Sequence, residues 1–415
     1  MPPTIAAPES VGVNSVRLAR IRPVMQSYVD QQGFAGISTL LARRGRVIHF
    51  EQVGWQERET QTPLAPETIF RIYSMTKPII CVALLTLYEE GRFQLFDPVA
   101  KYLPQFGKVR VLEGASLAEA RAVELVRPIT VRDLFTHTAG LTYDFLEDSP
   151  VSQQYRQAGL MSDVTRTLEA TIGELARLTL AYQPGSRWHY SVSIDVLAHL
   201  IEVLSGQPLQ DFLQARLFGP LGMVDTGFFL PPEKRTRLSA MYGHPDIASH
   251  SFSDFIAAWQ QGQNVRRDVG ATYPVDNTQS FARGGHGLFS TVSDYLRFAQ
   301  MLLNRGELEG VRILSPRVTD FMHVNHVPLS RLPLIIGPNP VNGYGFGLGS
   351  RVLLNPVEAA LPVTAGEFGW AGAAKTFYWV DPKEELVGIL MSQYMMCFEL
   401  PERALQVLAY QALMS

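Results

Sequence analysis

The sequence predicts an α+β fold: an antiparallel sheet built from both ends of the chain, with a mainly helical part inserted between its early and late strands. Three observations carry that expectation. Near the N-terminus, "AGISTLLARRGRVIHFEQVGW" sets two apolar or β-branched runs on either side of Arg43-Arg44-Gly45, the pattern of a hairpin. Near the C-terminus, "AKTFYWVDPKEELVGILMSQ" places Phe377–Val380 and Leu386–Met391 around an Asp-Pro-Lys-Glu-Glu turn. Between the two, apolar residues recur mostly at helical spacing.

The elements follow in chain order. A helix is expected near Val13–Gln31. In "FRIYSMTKPIICVALLTLYEEG" the stretch Met75–Glu90 is apolar on nearly every face and stops at Gly91, which suits a C′ position, so it reads as a buried helix. "TVRDLFTHTAGL" opens on Thr130 as a cap and ends by Gly140. "TIGELARLTL", "SIDVLAHLIEVLSG", "PLQDFLQARLFGPLG" and "STVSDYLRFAQMLLNRG" each carry helical periodicity, and "PERALQVLAYQAL" reads as a last helix packed on the sheet. Phe229–Arg283 and Val324–Gly343 exceed ordinary connections, which points to binding loops or subsidiary elements beside a cleft. A cleft between the two parts is the default place for a small-molecule site.

Composition narrows the function classes. The 415 residues carry a formal charge of -3 and no basic tail, which gives no electrostatic footprint for nucleic acid. No run reaches the about 18 apolar residues of a membrane span, and no leader pattern opens the chain, so a cytoplasmic protein is expected. Cys81 and Cys397 form no CxxC pattern and read as buried small hydrophobes. Neither H-E-x-x-H nor G-x-S-x-G occurs, and the alternating Gly343, Gly345, Gly347 and Gly349 lack the lysine of a phosphate loop. No metal or cofactor is expected.

Chemistry enters with Ser74-Met75-Thr76-Lys77. If a helix starts at Met75, Ser74 and Lys77 share a face about one turn apart. A serine hydroxyl is a poor nucleophile until a neighbouring base takes its proton. A lysine, with an ordinary pKa of about 10.4, needs desolvation or nearby positive charge to serve as that base. On its own the tetrad reads as a helix cap beside a solvent-seeking lysine. Two further segments give it partners. Tyr190 follows a Pro-Gly turn and precedes a helix, a rigid place from which to aim a phenol. "GEFGWAGAAKTFYWV" sets a Gly/Ala-rich run against a strand, where small residues admit a ligand to the backbone and an N–H could face an oxyanion. His189 and His286 read as packed or loop histidines.

Ser74-Met75-Thr76-Lys77, Tyr190-Ser191-Val192 and Trp370-Ala371-Gly372, in that order, resemble the three motifs of the serine β-lactamase and penicillin-binding-protein superfamily. Among its members the class C β-lactamase-like esterases, or family VIII carboxylesterases, are the most similar in pattern. "LFTHTAGL", "GGHGLFST" and "GYGFGLG" add to a resemblance that covers about Val11–Ala409. It implies a β-lactamase/transpeptidase-like fold. Residues 1–80, 200–250 and 290–415 would form the α/β part, 81–199 the helical part, and 251–289 an excursion at the cleft. It further implies Ser74 as the acylated nucleophile, Lys77 and Tyr190 as the base system, and the backbone N–H groups of Ser74 and Ala373 as the oxyanion hole.

Two departures bear on substrate. The similar β-lactamases have asparagine where Val192 stands and Lys-Thr-Gly where Trp370-Ala371-Gly372 stands. A pocket of Val192, Trp370, Ala371 and Gly372 suits an uncharged acyl ester, because losing a charge-assisted hydrogen bond removes about 1.5–3 kcal/mol of affinity for an anion. The expectation is therefore a serine hydrolase of short- to medium-chain acyl esters, acting through a Ser74 acyl-enzyme. Its rivals are a β-lactamase, a D-aminopeptidase, an acyltransferase and a non-catalytic binding protein.

Overall fold

A computed structural model describes residues 3–31, 33–114, 120–244, 246, 250–261, 264–276, 280–337 and 339–414. Its main sheet has eight strands: β1 (Gly36–Arg43), β2 (Arg46–Glu57), β3 (Thr62–Pro63), β4 (Tyr344–Phe346), β5 (Arg351–Leu353), β6 (Phe368–Gly372), β7 (Thr376–Asp381) and β8 (Leu386–Met391). They lie in the order β4-β5-β6-β7-β8-β1-β2-β3 with every pairing antiparallel. Both expected hairpins are present. Arg44 and Gly45 sit at φ 52° and 72°, the two positive values that a type I′ turn needs. At the other hairpin, Asp381 Oδ1 accepts from the amides of Lys383 and Glu384 (3.0 and 3.1 Å) and holds the turn. β8 pairs with β1, Thr39 opposite Leu390, so the sheet joins the two ends of the chain.

Alternation sends successive side chains to opposite faces. Ile37, Leu41, Phe377, Trp379, Leu386 and Leu390 pack on one side, with Ile21 and Met25 of α1 (Ile21–Gln31) and Leu405 and Ala409 of a C-terminal helix (Pro401–Tyr410). Leu40, Tyr378, Val380, Val387 and Ile389 enter the larger core on the other side. There α2 (Thr76–Glu89) is buried all round and packs on α3 (Ser193–Ser205), while α4 (Val292–Leu303) lies against β7 and β8. Each side chain so enclosed contributes about 1.5–3 kcal/mol. α2 stops as expected, with Gly91 at φ 72°.

Several local expectations are corrected. The N-terminal helix is split, with one turn at Ser15–Leu18 before α1. The helix expected at Thr171 starts at Leu168, because the Thr167 side chain caps it by accepting from the Ala170 amide. The stretch from Leu209 to Leu221 passes through a π-type turn at Gln214–Phe218, next to Pro220, which has no amide to donate. Cys397 is half-buried, unlike the enclosed Cys81, because it follows the last paired strand; both thiols are free. The long connections hold small elements. These include strands Met241–Gly243 and Val265–Arg267, the helix Phe252–Gln260, and a hairpin of Leu334–Ile336 with Asn339–Val341; the rest of the 229–283 and 324–343 stretches includes residues outside those described. Among the described residues no helix is long and apolar enough to cross a membrane.

Candidate active site

Ser74 is presented by a sharp junction. Phe70–Arg71 pairs antiparallel with Phe289–Ser290, and the Ile72 amide donates to the Leu288 carbonyl (3.0 Å). The chain then turns through a 3₁₀ segment, Tyr73–Met75, before α2 begins at Thr76. Tyr73 sits at φ 45°, a conformation unusual for an aromatic residue and common where an active site fixes the backbone. Met75 takes the cap position of α2 with no side-chain bond, so Ser74 is not the cap that its sequence also allowed.

Lys77 does not reach solvent. It is 1% exposed, and its Nζ donates to Ser74 Oγ (3.0 Å) and to the Gly285 carbonyl (2.6 Å). The Nζ atom faces the rings of Tyr190 and Tyr143, 4.7 and 5.2 Å from their centroids. Gly285 makes this possible. A Cβ there would lie 2.5 Å from Asp195 Oδ2 and 2.6 Å from Tyr143 Oη. The Gly285 amide in turn donates to Asp195 Oδ1 (3.0 Å), a buried carboxyl that desolvation raises above its ordinary pKa.

Tyr190 is buried among aromatic rings, with centroids of His137, Tyr143 and Trp370 at 4.9, 5.3 and 5.5 Å. Its hydroxyl oxygen accepts from the Trp370 indole (Nε1 to Oη 3.3 Å). Trp370 therefore braces the phenol as well as forming an apolar wall with Phe346 (centroids 5.2 Å). The histidines nearby are neutral. Burial pushes His286 down to about 3, His189 down to about 4 and His137 well below its usual range.

The end of β6 presses on the serine turn. Thr376 Oγ1 donates to the Ile72 carbonyl (3.1 Å), and a Cβ on Gly372 would lie 2.4 Å from that same oxygen. Ala371 is exposed, Gly372 and Ala373 half-exposed. Among the described residues, neither the Ser74 amide nor the Ala373 amide donates to a protein acceptor. Two such N–H groups on elements in contact, beside a helix N-terminus, can receive a developing oxyanion. Val192 is placed differently from the rest. Its side chain is buried and it lines a small void with Leu160, Met161, Ile172 and Leu175, beside Thr171, Asp195 and Arg283.

Sequence reasoning had missed Tyr143, Asp195 and the Gly285 carbonyl. Tyr143 stands two residues beyond the "LFTHTAGL" segment and Gly285 lies inside "GGHGLFST", so proximity to those segments was the available signal.

The Beta-lactamase family model matches residues 21–410. The chain belongs to the beta-lactamase family. Membership puts it among the serine hydrolases and acyltransferases of that superfamily. The chain is 33% identical over 367 residues to Protein Rv1367c of Mycobacterium tuberculosis, covering 87% of this chain and 86% of that one. It is 29% identical over 371 residues to Esterase EstB of Burkholderia gladioli (88% and 87% covered) and 28% identical over 347 residues to Monacolin J acid methylbutanoyltransferase of Aspergillus terreus (80% and 78%). Among solved structures it is similar to EstCE1, described as a hydrolase with promiscuous acyltransferase activity, with TM-score 0.78, 26% identity, and 95% and 99% of the two chains covered. The β-lactamase/transpeptidase-like fold expected from the three motifs is the fold of this family member.

Proposed function

We propose that this beta-lactamase family member is a carboxylesterase that hydrolyses uncharged short- to medium-chain acyl esters through an acyl-enzyme on Ser74. The observation that carries the reading is the buried Lys77 Nζ held 3.0 Å from Ser74 Oγ, its position fixed by the Gly285 carbonyl. Ser74 Oγ attacks the ester carbonyl carbon as its proton passes into the Lys77/Tyr190 base system. The amides of Ser74 and Ala373 stabilise the oxyanion, a contribution of about 10²–10³ in rate per donor. Collapse breaks the bond to the leaving alcohol, which takes up that proton. Water then gives its proton to the same base, attacks the acyl carbon and releases acid and free Ser74.

The wall of Trp370 and Phe346 favours an apolar acyl group, and similarity to Esterase EstB supports an ester as substrate. Similarity to Monacolin J acid methylbutanoyltransferase and to EstCE1 supports a second reading, acyl transfer, in which an alcohol replaces water in the second half. Incubating the protein with p-nitrophenyl butyrate, with and without alcohol acceptors, and analysing products and intact mass tests both. Nitrophenol release without acceptor and an acyl adduct lost in Ser74→Ala support the esterase; turnover only with an alcohol present supports the transferase. Turnover undiminished in Ser74→Ala overturns both.

A further inference from the structure

A cavity of about 770 Å³, with none of Ser74, Lys77, Tyr190 or Trp370 in its lining, lies between the end of β2, the 235–241 segment and residues 266–269. Its volume is within the range of sites that enclose a small molecule. Four guanidinium groups line it (Arg71, Arg235, Arg266 and Arg267) against two carboxylates, Glu57 and Asp268. Three of the four are engaged. Arg235 pairs with Asp276, Arg266 with Glu57 (2.5 Å), and Arg267 Nε donates to the Gly243 carbonyl (2.9 Å).

Arg71 is different. It is 7% exposed and its Nε has no hydrogen-bond partner, and the carboxylates that act on its charge, Asp268 and Asp246, do so without a hydrogen bond to it among the described residues. It meets the Tyr273 and Phe289 rings, with centroids 5.7 and 5.5 Å from Cζ, which offsets only part of the loss of water. An arginine stays charged in a protein, so it cannot relieve this burial by releasing a proton. Its backbone is fixed as well, since the Arg71 amide donates to Gln393 Oε1 and its carbonyl accepts from Gln393 Nε2, each at 3.0 Å. A fixed, buried fork with a free Nε, at the wall of a cavity where four arginines meet two carboxylates, is an arrangement that can receive a planar or tetrahedral oxyanion.

We propose that this cavity is a binding site for a small molecule bearing a carboxylate or phosphate group, with Arg71 as the anchor. The inference is independent of which acyl group Ser74 receives, and its test reads binding alone. The wild-type protein is titrated with succinate and, separately, with inorganic phosphate, each against sodium chloride at matched ionic strength, following Tm and the heat of binding. One of the two raises Tm by about 2 °C or more beyond the chloride control, and which one does so tells carboxylate from phosphate. Arg71→Met weakens that binding at least about tenfold. Ala240→Phe, which fills the cavity and leaves Arg71 in place, does the same and decides the question if Arg71→Met does not fold. The proposal is overturned if neither anion exceeds the chloride control, or if binding is undiminished in the folded variants.

Discussion

The indole N–H of Trp370 donates to the Tyr190 hydroxyl oxygen across 3.3 Å, linking residues 180 positions apart in the chain. Trp370→Phe keeps a ring against Phe346 and removes the donor. A single neutral hydrogen bond is worth about 0.5–1.5 kcal/mol, so kcat on p-nitrophenyl butyrate falls about 2–10-fold with KM little changed. An unchanged kcat in steady-state assays would mean that the indole does not brace the phenol.

Lys77→Met separates chemistry from stability. Removal of the base lowers kcat/KM by about 10²–10⁴. The melting temperature holds or rises, because a buried polar amine is exchanged for an apolar chain of similar length. Rates and thermal melts on the same preparation check both halves; a sharp drop in Tm would make Lys77 a structural residue first.

Gly285→Ala places a methyl group between Asp195 and Tyr143, 2.5 and 2.6 Å from their oxygens, where neither neighbour can retreat freely. Overpacking of this kind costs about 1–3 kcal/mol, and displacement of the Gly285 carbonyl from Lys77 lowers kcat by at least about tenfold. Chemical denaturation and kinetics on the variant measure the two effects.

Acid weakens the fold. Burial holds His49 and His189 down to about 4, and His286 and His323 down to about 3, against an ordinary histidine value near 6.5. Below pH 6.5 the unfolded chain binds protons at these rings and the native one does not. Each histidine therefore withdraws about 1.4 kcal/mol per pH unit until its folded value is reached. Asp144 and Asp294, raised by burial to about 7 and about 6, act in the opposite sense, losing stability as pH rises from the ordinary carboxyl range through those values. Four histidines outweigh two carboxyls between pH 6.5 and 4.5, so denaturant midpoints fall over that window. A midpoint that held steady or rose toward pH 4.5 would contradict the burial of these rings as neutral groups.

Substrate charge is the remaining discriminator. With Trp370 in place of a cationic side chain, p-nitrophenyl butyrate turns over faster than nitrocefin by one to two decades or more, as about 1.5–3 kcal/mol of lost charge-assisted bonding implies. Parallel kcat/KM measurements decide it; faster nitrocefin hydrolysis would point to a β-lactamase.

What the sequence by itself determined were the features that depend on neighbours along the chain. Apolar and β-branched runs around turn residues marked β1, β2, β7 and β8, Gly91 marked the end of α2, and the three-residue spacing put Lys77 within reach of Ser74. The order of three short motifs then pointed to the family. Tertiary structure decided what acts between distant segments. The carbonyl that fixes Lys77 comes from Gly285, 208 residues away, and the donor that braces Tyr190 comes from Trp370. A backbone carbonyl leaves no mark in side-chain periodicity, and Asp195 reads in sequence as an ordinary first-turn acid of α3. Val192 shows the converse, since its place in the motif suggested the cleft while its packing sends it to a void inside the helical part. Burial explains the difference. Whether a serine and a lysine are a cap and a surface charge or a hydrogen-bonded pair 3.0 Å apart depends on what excludes water from them, and that enclosure is assembled from four separate stretches of chain.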